Sequence, residues 1–110
     1  MGESAVQPYY AVIFTSDRTT AEPDEYAAMA ERMIELARQQ PGFLAIESAR
    51  GSDGVGITVS YWQDLESIKA WNNVSDHQTA QQLGREKWYR NFKVRICRVE
   101  NEYSFDGPIV

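Results

Sequence analysis

The order in which strand-like and helix-like stretches alternate leaves this chain few folds to choose from. Tyr9-Tyr10-Ala11-Val12-Ile13-Phe14-Thr15 is a dense run of β-branched and aromatic residues, of a length that suits a strand covered on both faces. Pro23, with Glu22, Asp24 and Glu25 around it, then gives the signature of a helix start. Tyr26, Met29, Ala30, Met33, Leu36 and Ala37 follow the spacing of one helix face to about Gln39, and Pro41-Gly42 stops the helix. Phe43 to Arg50 and Ile57 to Trp62 read as two further strands joined by the turn cluster Gly51-Ser52-Asp53-Gly54-Val55-Gly56, hence a hairpin.

Asp64 is placed to cap a second helix from Leu65 to about Val74, with Leu65, Ile68 and Trp71 on one face. Ser75 and Gln78 have capping-box spacing, so the helix is expected to kink or restart at Ser75 and run to about Lys87. A last long strand lies within Tyr89 to Tyr103, centred on Phe92–Val99. The order β-α-β-β-α-β is the split-βαβ arrangement, an α+β fold of the ferredoxin-like kind. Right-handed crossovers then predict a four-stranded antiparallel sheet with two helices on one face. The other face is left bare, and a second copy of the chain is the simplest cover, which predicts a homodimer. Residues 1–8 read as a flexible N-terminal tail and 106–110 as a C-terminal one, with a single domain over 9–105.

Charge and cysteine use narrow the function. The formal net charge of −5 makes nucleic acid and anionic membrane poor partners. Six of the eleven basic residues (Arg85, Lys87, Arg90, Lys93, Arg95 and Arg98) crowd into one stretch, but they divide between strand faces and read as a solvated or dimer-pairing surface. Cys97 is the single cysteine, so it forms no intramolecular disulfide and no cysteine-based zinc site; in a strand it reads as core. No signal-like leader and no apolar run near 20 residues is present, which points to a reducing, cytoplasmic setting. Asp76, His77 and Glu86 are too scattered to suggest a metal site.

The candidate chemistry gathers around the single histidine. His77 falls in the first turn of the restarted helix, whose positive end disfavours imidazolium and keeps the ring neutral, as a general base requires. Trp71, Trp88 and Tyr89 flank it, and Tyr61 and Trp62 lie on the adjoining strand. Such residues either wall a slot for a planar ring or simply fill the core between helix and sheet. Glu47, Arg50 and Ser60 are further polar groups able to anchor a ligand, with Glu47 and Arg50 on opposite strand faces by alternation.

Val59-Ser60-Tyr61-Trp62, Leu65-Glu66-Ser67-Ile68-Lys69-Ala70-Trp71, Ser75-Asp76-His77, Arg85-Glu86-Lys87-Trp88-Tyr89 and the Gln40–Leu44 turn together resemble the antibiotic biosynthesis monooxygenase family, over roughly residues 9–105. The resemblance implies a dimeric α/β barrel made by two sheets face to face, with a ligand pocket between sheet and helices. It also implies oxidation of a polyphenolic or quinone-like small molecule by molecular oxygen, with no metal or flavin cofactor. His77 would then be the base and Trp71 the aromatic wall. Tyr61, Trp62, Trp88 and Tyr89 would contact substrate, and Arg85 would stabilise an oxyanion. Another branch of the family degrades haem with an Asn-Trp-His triad. Trp71 matches its tryptophan, but Tyr9–Thr15 holds no Asn, and the family's histidine falls near Gln81 rather than at His77. The competing class is a non-catalytic dimeric small-molecule-binding or stress-associated protein of the same fold.

Overall fold

The computed structural model describes residues 7–108. Most of the expected N-terminal tail and the last two residues of the C-terminal one lie outside that range. The elements run β1 (Tyr9–Arg18), α1 (Pro23–Arg38), β2 (Phe43–Arg50), β3 (Val55–Trp62), α2 (Leu65–Asn72), α3 (Ser75–Leu83), a π-helical turn (Gly84–Trp88) and β4 (Tyr89–Val99). The four strands form one antiparallel sheet in the order β2-β3-β1-β4. Val12 pairs with Ser60 on one side and Ile96 on the other, which fixes the register across the sheet centre.

Local chemistry explains the element ends. Pro23 opens α1, where its missing N–H is not needed. Asp64 caps α2 by accepting from the Ser67 backbone N–H at 2.8 Å and from the Ser67 hydroxyl at 2.7 Å. Both bonds favour the ionised carboxylate and hold its pKa below the ordinary value. Between α1 and β2 the chain turns at Gly42, whose φ of 83° suits glycine, and the Gly42 carbonyl accepts from Gln63 N–H at 2.7 Å.

Two expectations are corrected. The sheet carries three α-helices and a π-helical turn, not two helices. Asn73 and Val74 fold back on Ala70 and Trp71 and end α2, and α3 starts afresh. Ser75 is the first residue of α3 rather than its cap; Val74 holds the cap position and no side chain caps it. The sheet is also not a barrel. It is open, because β2 and β4 are its two edges and do not pair with one another, whereas closure requires every strand to have two neighbours.

The core is small and lies at one end. Ala37, Trp62, Ile68 and Trp71 are buried together, with Tyr10, Met33, Leu36 and Phe43 packed around them. Trp62 is fully enclosed, and its indole N–H donates to Ser60 Oγ at 2.9 Å. Away from this cluster α1 and α3 stand off the sheet. Cys97 is exposed rather than in the core, because it alternates onto the sheet face that the helices leave open.

Candidate functional site

The gap between the helices and the sheet is a cavity of about 580 Å³. Its floor comes from alternate residues of the strands, among them Val12, Phe14, Ser60, Thr58, Val94 and Ile96. Its roof comes from Tyr26, Met29 and Met33 of α1, Ile68 and Trp71 of α2, and His77 and Ala80 of α3. The walls are mainly apolar with a few polar groups, the usual make-up of a small-molecule site.

His77 sits on this wall in a defined state. Its ring stacks on Trp71 with centroids 4.2 Å apart and planes at 15°. His77 Nδ1 lies 3.0 Å from the Trp71 carbonyl oxygen. A carbonyl only accepts, so Nδ1 carries the proton and donates. In the neutral ring this leaves Nε2 with its lone pair, and Nε2 has no hydrogen-bond partner among the described residues. Burial pushes the His77 pKa below its ordinary value, opposed in part by the bond to the carbonyl. The ring is therefore neutral at pH 7 and able to take a proton. An ion pair between Arg32 of α1 and Asp76, at 2.5 Å, ties the start of α3 to α1 beside the histidine.

Trp71 joins the two halves of the site. One face stacks on His77, and it also stacks against Trp62 with centroids 6.1 Å apart. The break between α2 and α3 makes this possible, because it turns the chain so that residue 77 folds over residue 71.

A second polar group lies where side chains of β1, β2, β4 and α1 converge, with Arg50 of β2 reaching across Gly56 of β3 to Ser16 of β1. The Tyr89 hydroxyl donates to the Tyr26 hydroxyl at 3.1 Å. Arg50 Nη2 donates to Ser16 Oγ at 2.7 Å and to the Tyr26 hydroxyl at 3.4 Å, and Nη1 donates to the Gly54 carbonyl at 2.5 Å. Arg18 lies over the Tyr26 ring, 3.8 Å from its centroid. Burial, then the bond to Tyr26, raise the Tyr89 pKa well above its ordinary value, so its hydroxyl stays protonated and able to donate.

The sequence-derived candidates divide between three places. His77, Trp71, Arg85, Trp88 and Tyr89 line the cavity, as do Ser60 and Arg50. Arg85 lies near Phe92, its guanidinium carbon 5.7 Å from the ring centroid. Trp62 is in the core behind Trp71. Tyr61 lies on the opposite sheet face, where its hydroxyl donates to Glu47 at 2.7 Å; that bond, chiefly, raises its pKa. The Trp88 indole N–H is buried with no partner among the described residues. Tyr26, Ser16 and Arg18 were not singled out by the sequence. Tyr26 carried only a helix-periodicity signal, and its meeting with Arg50 and Tyr89 depends on contacts between distant parts of the chain. No group of three or more His, Cys, Asp or Glu side chains arranged to hold a metal is found among the described residues. No helix there is long and apolar enough to cross a membrane.

Fold and cavity together define a small α+β protein with an open ferredoxin-like sheet and a ligand-sized chamber beneath its helices. A family model described as antibiotic biosynthesis monooxygenase matches residues 9–83, and the chain belongs to that family. The uncharacterized protein YqjZ of Bacillus subtilis is 46% identical over 98 residues, covering 89% of this chain and 85% of its own. The jasmonate monooxygenase of Pyricularia oryzae is 27% identical over 94 residues, covering 82% of this chain but 43% of its own, longer sequence. SnoaB, a cofactor-independent oxygenase from Streptomyces nogalater, superposes with a TM-score of 0.70 at 13% identity, covering 88% of this chain and 97% of that one. That last likeness is one of fold.

Proposed function

We propose that this protein is a cofactor-independent monooxygenase acting on an aromatic, polyphenolic or quinone-like small molecule, with His77 as the base. The observation that carries the reading is the 3.0 Å contact of His77 Nδ1 with the Trp71 carbonyl, which sets the tautomer. The Nδ1–H is committed to the Trp71 carbonyl, and Nε2 keeps a free lone pair in a ring that burial holds neutral. Membership of a monooxygenase family supports it, as do the names of two relatives, one a jasmonate monooxygenase and one a cofactor-independent oxygenase.

The chemistry asks little of the protein. Nε2 removes a proton from a phenol or an activated ring carbon. The resulting anion is electron-rich enough to pass electrons to molecular oxygen. For a ring methylene the balance is R2CH2 + O2 giving R2CO + H2O, one oxygen atom entering the product and the other leaving as water. Trp71 holds the ring plane, and the Arg85 guanidinium favours the developing oxyanion. General-base catalysis of this kind contributes about 10²–10⁴-fold. Replacing His77 by Ala therefore lowers turnover by about 100-fold or more, read as oxygen uptake over a panel of hydroquinones and polycyclic phenols. Unchanged uptake in the variant would rule out the assigned base.

The working unit in this reading is a homodimer. The sheet face opposite the helices carries Val55 and Ile57, both about half exposed, and a second copy of the chain is the simplest cover for it.

A further inference from the structure

The polar corner of the cavity has more hydrogen-bond donors than acceptors, and a positive charge that no carboxylate among the described residues pairs with. Tyr26 and Tyr89 share one hydrogen bond between two hydroxyls. Whichever of them donates, one O–H remains, and no acceptor for it is found among the described residues. Arg50 spends its Nη protons on neutral groups: the Ser16 carbonyl and hydroxyl, the Gly54 carbonyl and the Tyr26 hydroxyl. No carboxylate lies within ion-pair distance of Arg50 or Arg18 among the described residues, although Asp and Glu outnumber Lys and Arg by sixteen to eleven in the chain. Lys87, Arg32, Arg90 and Arg98 each have an acidic partner, while Arg38, Lys69, Arg85, Lys93 and Arg95 also lack one among the described residues; what sets Arg50 apart is that neutral groups fix it at the cavity wall.

These bonds hold the Arg50 guanidinium in place without cancelling its charge. Such a fixed, preorganised cation beside an unspent phenolic O–H suits an anionic acceptor. The corner is also remote from the base. Arg50 pairs with Gly56 at one end of β3, while His77 stacks over Trp71 and Trp62 at the other. Gly56 and Trp62 lie six positions apart along β3, about 20 Å at the usual rise. The cavity between is lined by Val12, Phe14, Met33 and Ile68.

We propose that Arg50 and the Tyr26–Tyr89 hydroxyl pair form an anion subsite that selects ligands bearing a carboxylate at the end of an apolar, ring-containing body, with the body lying toward Trp71 and His77. This rests on reading the cavity as the substrate site. Arg18, which touches Tyr26 through its ring and does not line the cavity, acts as a positioning residue. Arg50 and Tyr26 set specificity, and neither takes part in the proton transfer assigned to His77.

The test is calorimetric binding of 4-biphenylcarboxylate and of its neutral counterpart 4-biphenylmethanol, to the wild type, Arg50→Gln and Tyr26→Phe. Wild type is expected to bind the carboxylate at least about tenfold more tightly than the alcohol, with a preference that shrinks as salt rises. Arg50→Gln should remove most of that preference by weakening the carboxylate at least about fivefold more than the alcohol, and Tyr26→Phe should reduce it. Arg50 is exposed, so its replacement is not expected to prevent folding, which circular dichroism checks. Equal affinity for the two ligands, failure of the carboxylate to bind, or an undiminished preference in Arg50→Gln would each overturn the subsite. Binding selectivity is measured without oxygen turnover, so the subsite and the His77 mechanism can fail separately.

Discussion

His77 has two ring nitrogens with different tasks, and the Trp71 carbonyl assigns them. The sequence made the histidine legible as a neutral ring, but for another reason. It pointed to the positive end of a helix; in the structure burial lowers the pKa, opposed in part by the bond to the Trp71 carbonyl. The sign of the consequence follows from the direction of the shift. The folded-state pKa lies below the unfolded value of about 6.5, so the unfolded chain binds more protons as pH falls through that window. The contribution of His77 to stability is complete above the unfolded pKa and is lost as pH falls through the folded one. Urea unfolding at pH 7.5 and pH 5.5 should therefore show a smaller acid loss in His77→Gln than in wild type. An identical loss in both would mean that the ring is not buried as described. Tyr61 shows the opposite limit of legibility. A tyrosine beside a buried tryptophan looks like a pocket residue, yet one step along a strand reverses the face, and Tyr61 points away from the cavity.

Elements were read well where local chemistry decides them. Pro23 and Asp64 mark helix starts because proline and a capping carboxylate act within one turn. Strand starts at Tyr9, Phe43 and Tyr89 were read as they stand, but β1 runs on past Thr15 to Arg18 and β3 begins at Val55, inside the expected turn cluster. The restart at Ser75 was legible, but local chemistry did not reveal that α3 is uncapped, with Val74 rather than Ser75 at the cap position, nor the π-helical turn at Gly84–Trp88. The turn is set by packing rather than propensity: a Cβ at Gly84 would stand 2.9 Å from the Tyr89 ring. Gly42 is a more stringent case. It combines a φ of 83° with an ideal Cβ position 2.6 Å from Ser67 Cβ and closer still to Ser67 Oγ, which is committed to Asp64. Gly42→Ala is expected to destabilise the protein by about 2 kcal/mol or more, measured by urea denaturation. A change under about 0.5 kcal/mol, the size of an ordinary surface substitution, would contradict the close approach of α2 to this turn.

At the scale of the whole molecule, topology was legible and closure was not. Strand order follows from element order and crossover handedness, both of which the sequence carries. A barrel is a property of strand edges, and in this chain β2 and β4 end the sheet unjoined. The Cα radius of gyration, 15.9 Å, exceeds the roughly 13 Å of a compact chain of about this length. Long β4 and the exposed Tyr103 and Phe105 beyond it contribute to that spread. Together with the half-exposed Val55 and Ile57 they predict a homodimer, which multi-angle light scattering should report at twice the 12.6 kDa chain mass at micromolar concentration. A stable monomer there would contradict it. The central claim is that a neutral His77 under a tryptophan wall starts an oxygen-consuming reaction. The most direct measurement is oxygen-electrode uptake over hydroquinones and polycyclic phenols, wild type against His77→Ala, with metal and flavin removed beforehand. Protein-dependent uptake that falls by about 100-fold or more in the variant is the predicted result. Uptake that ignores the substitution, or none across the panel, would contradict the claim and favour a small-molecule-binding protein of the same fold.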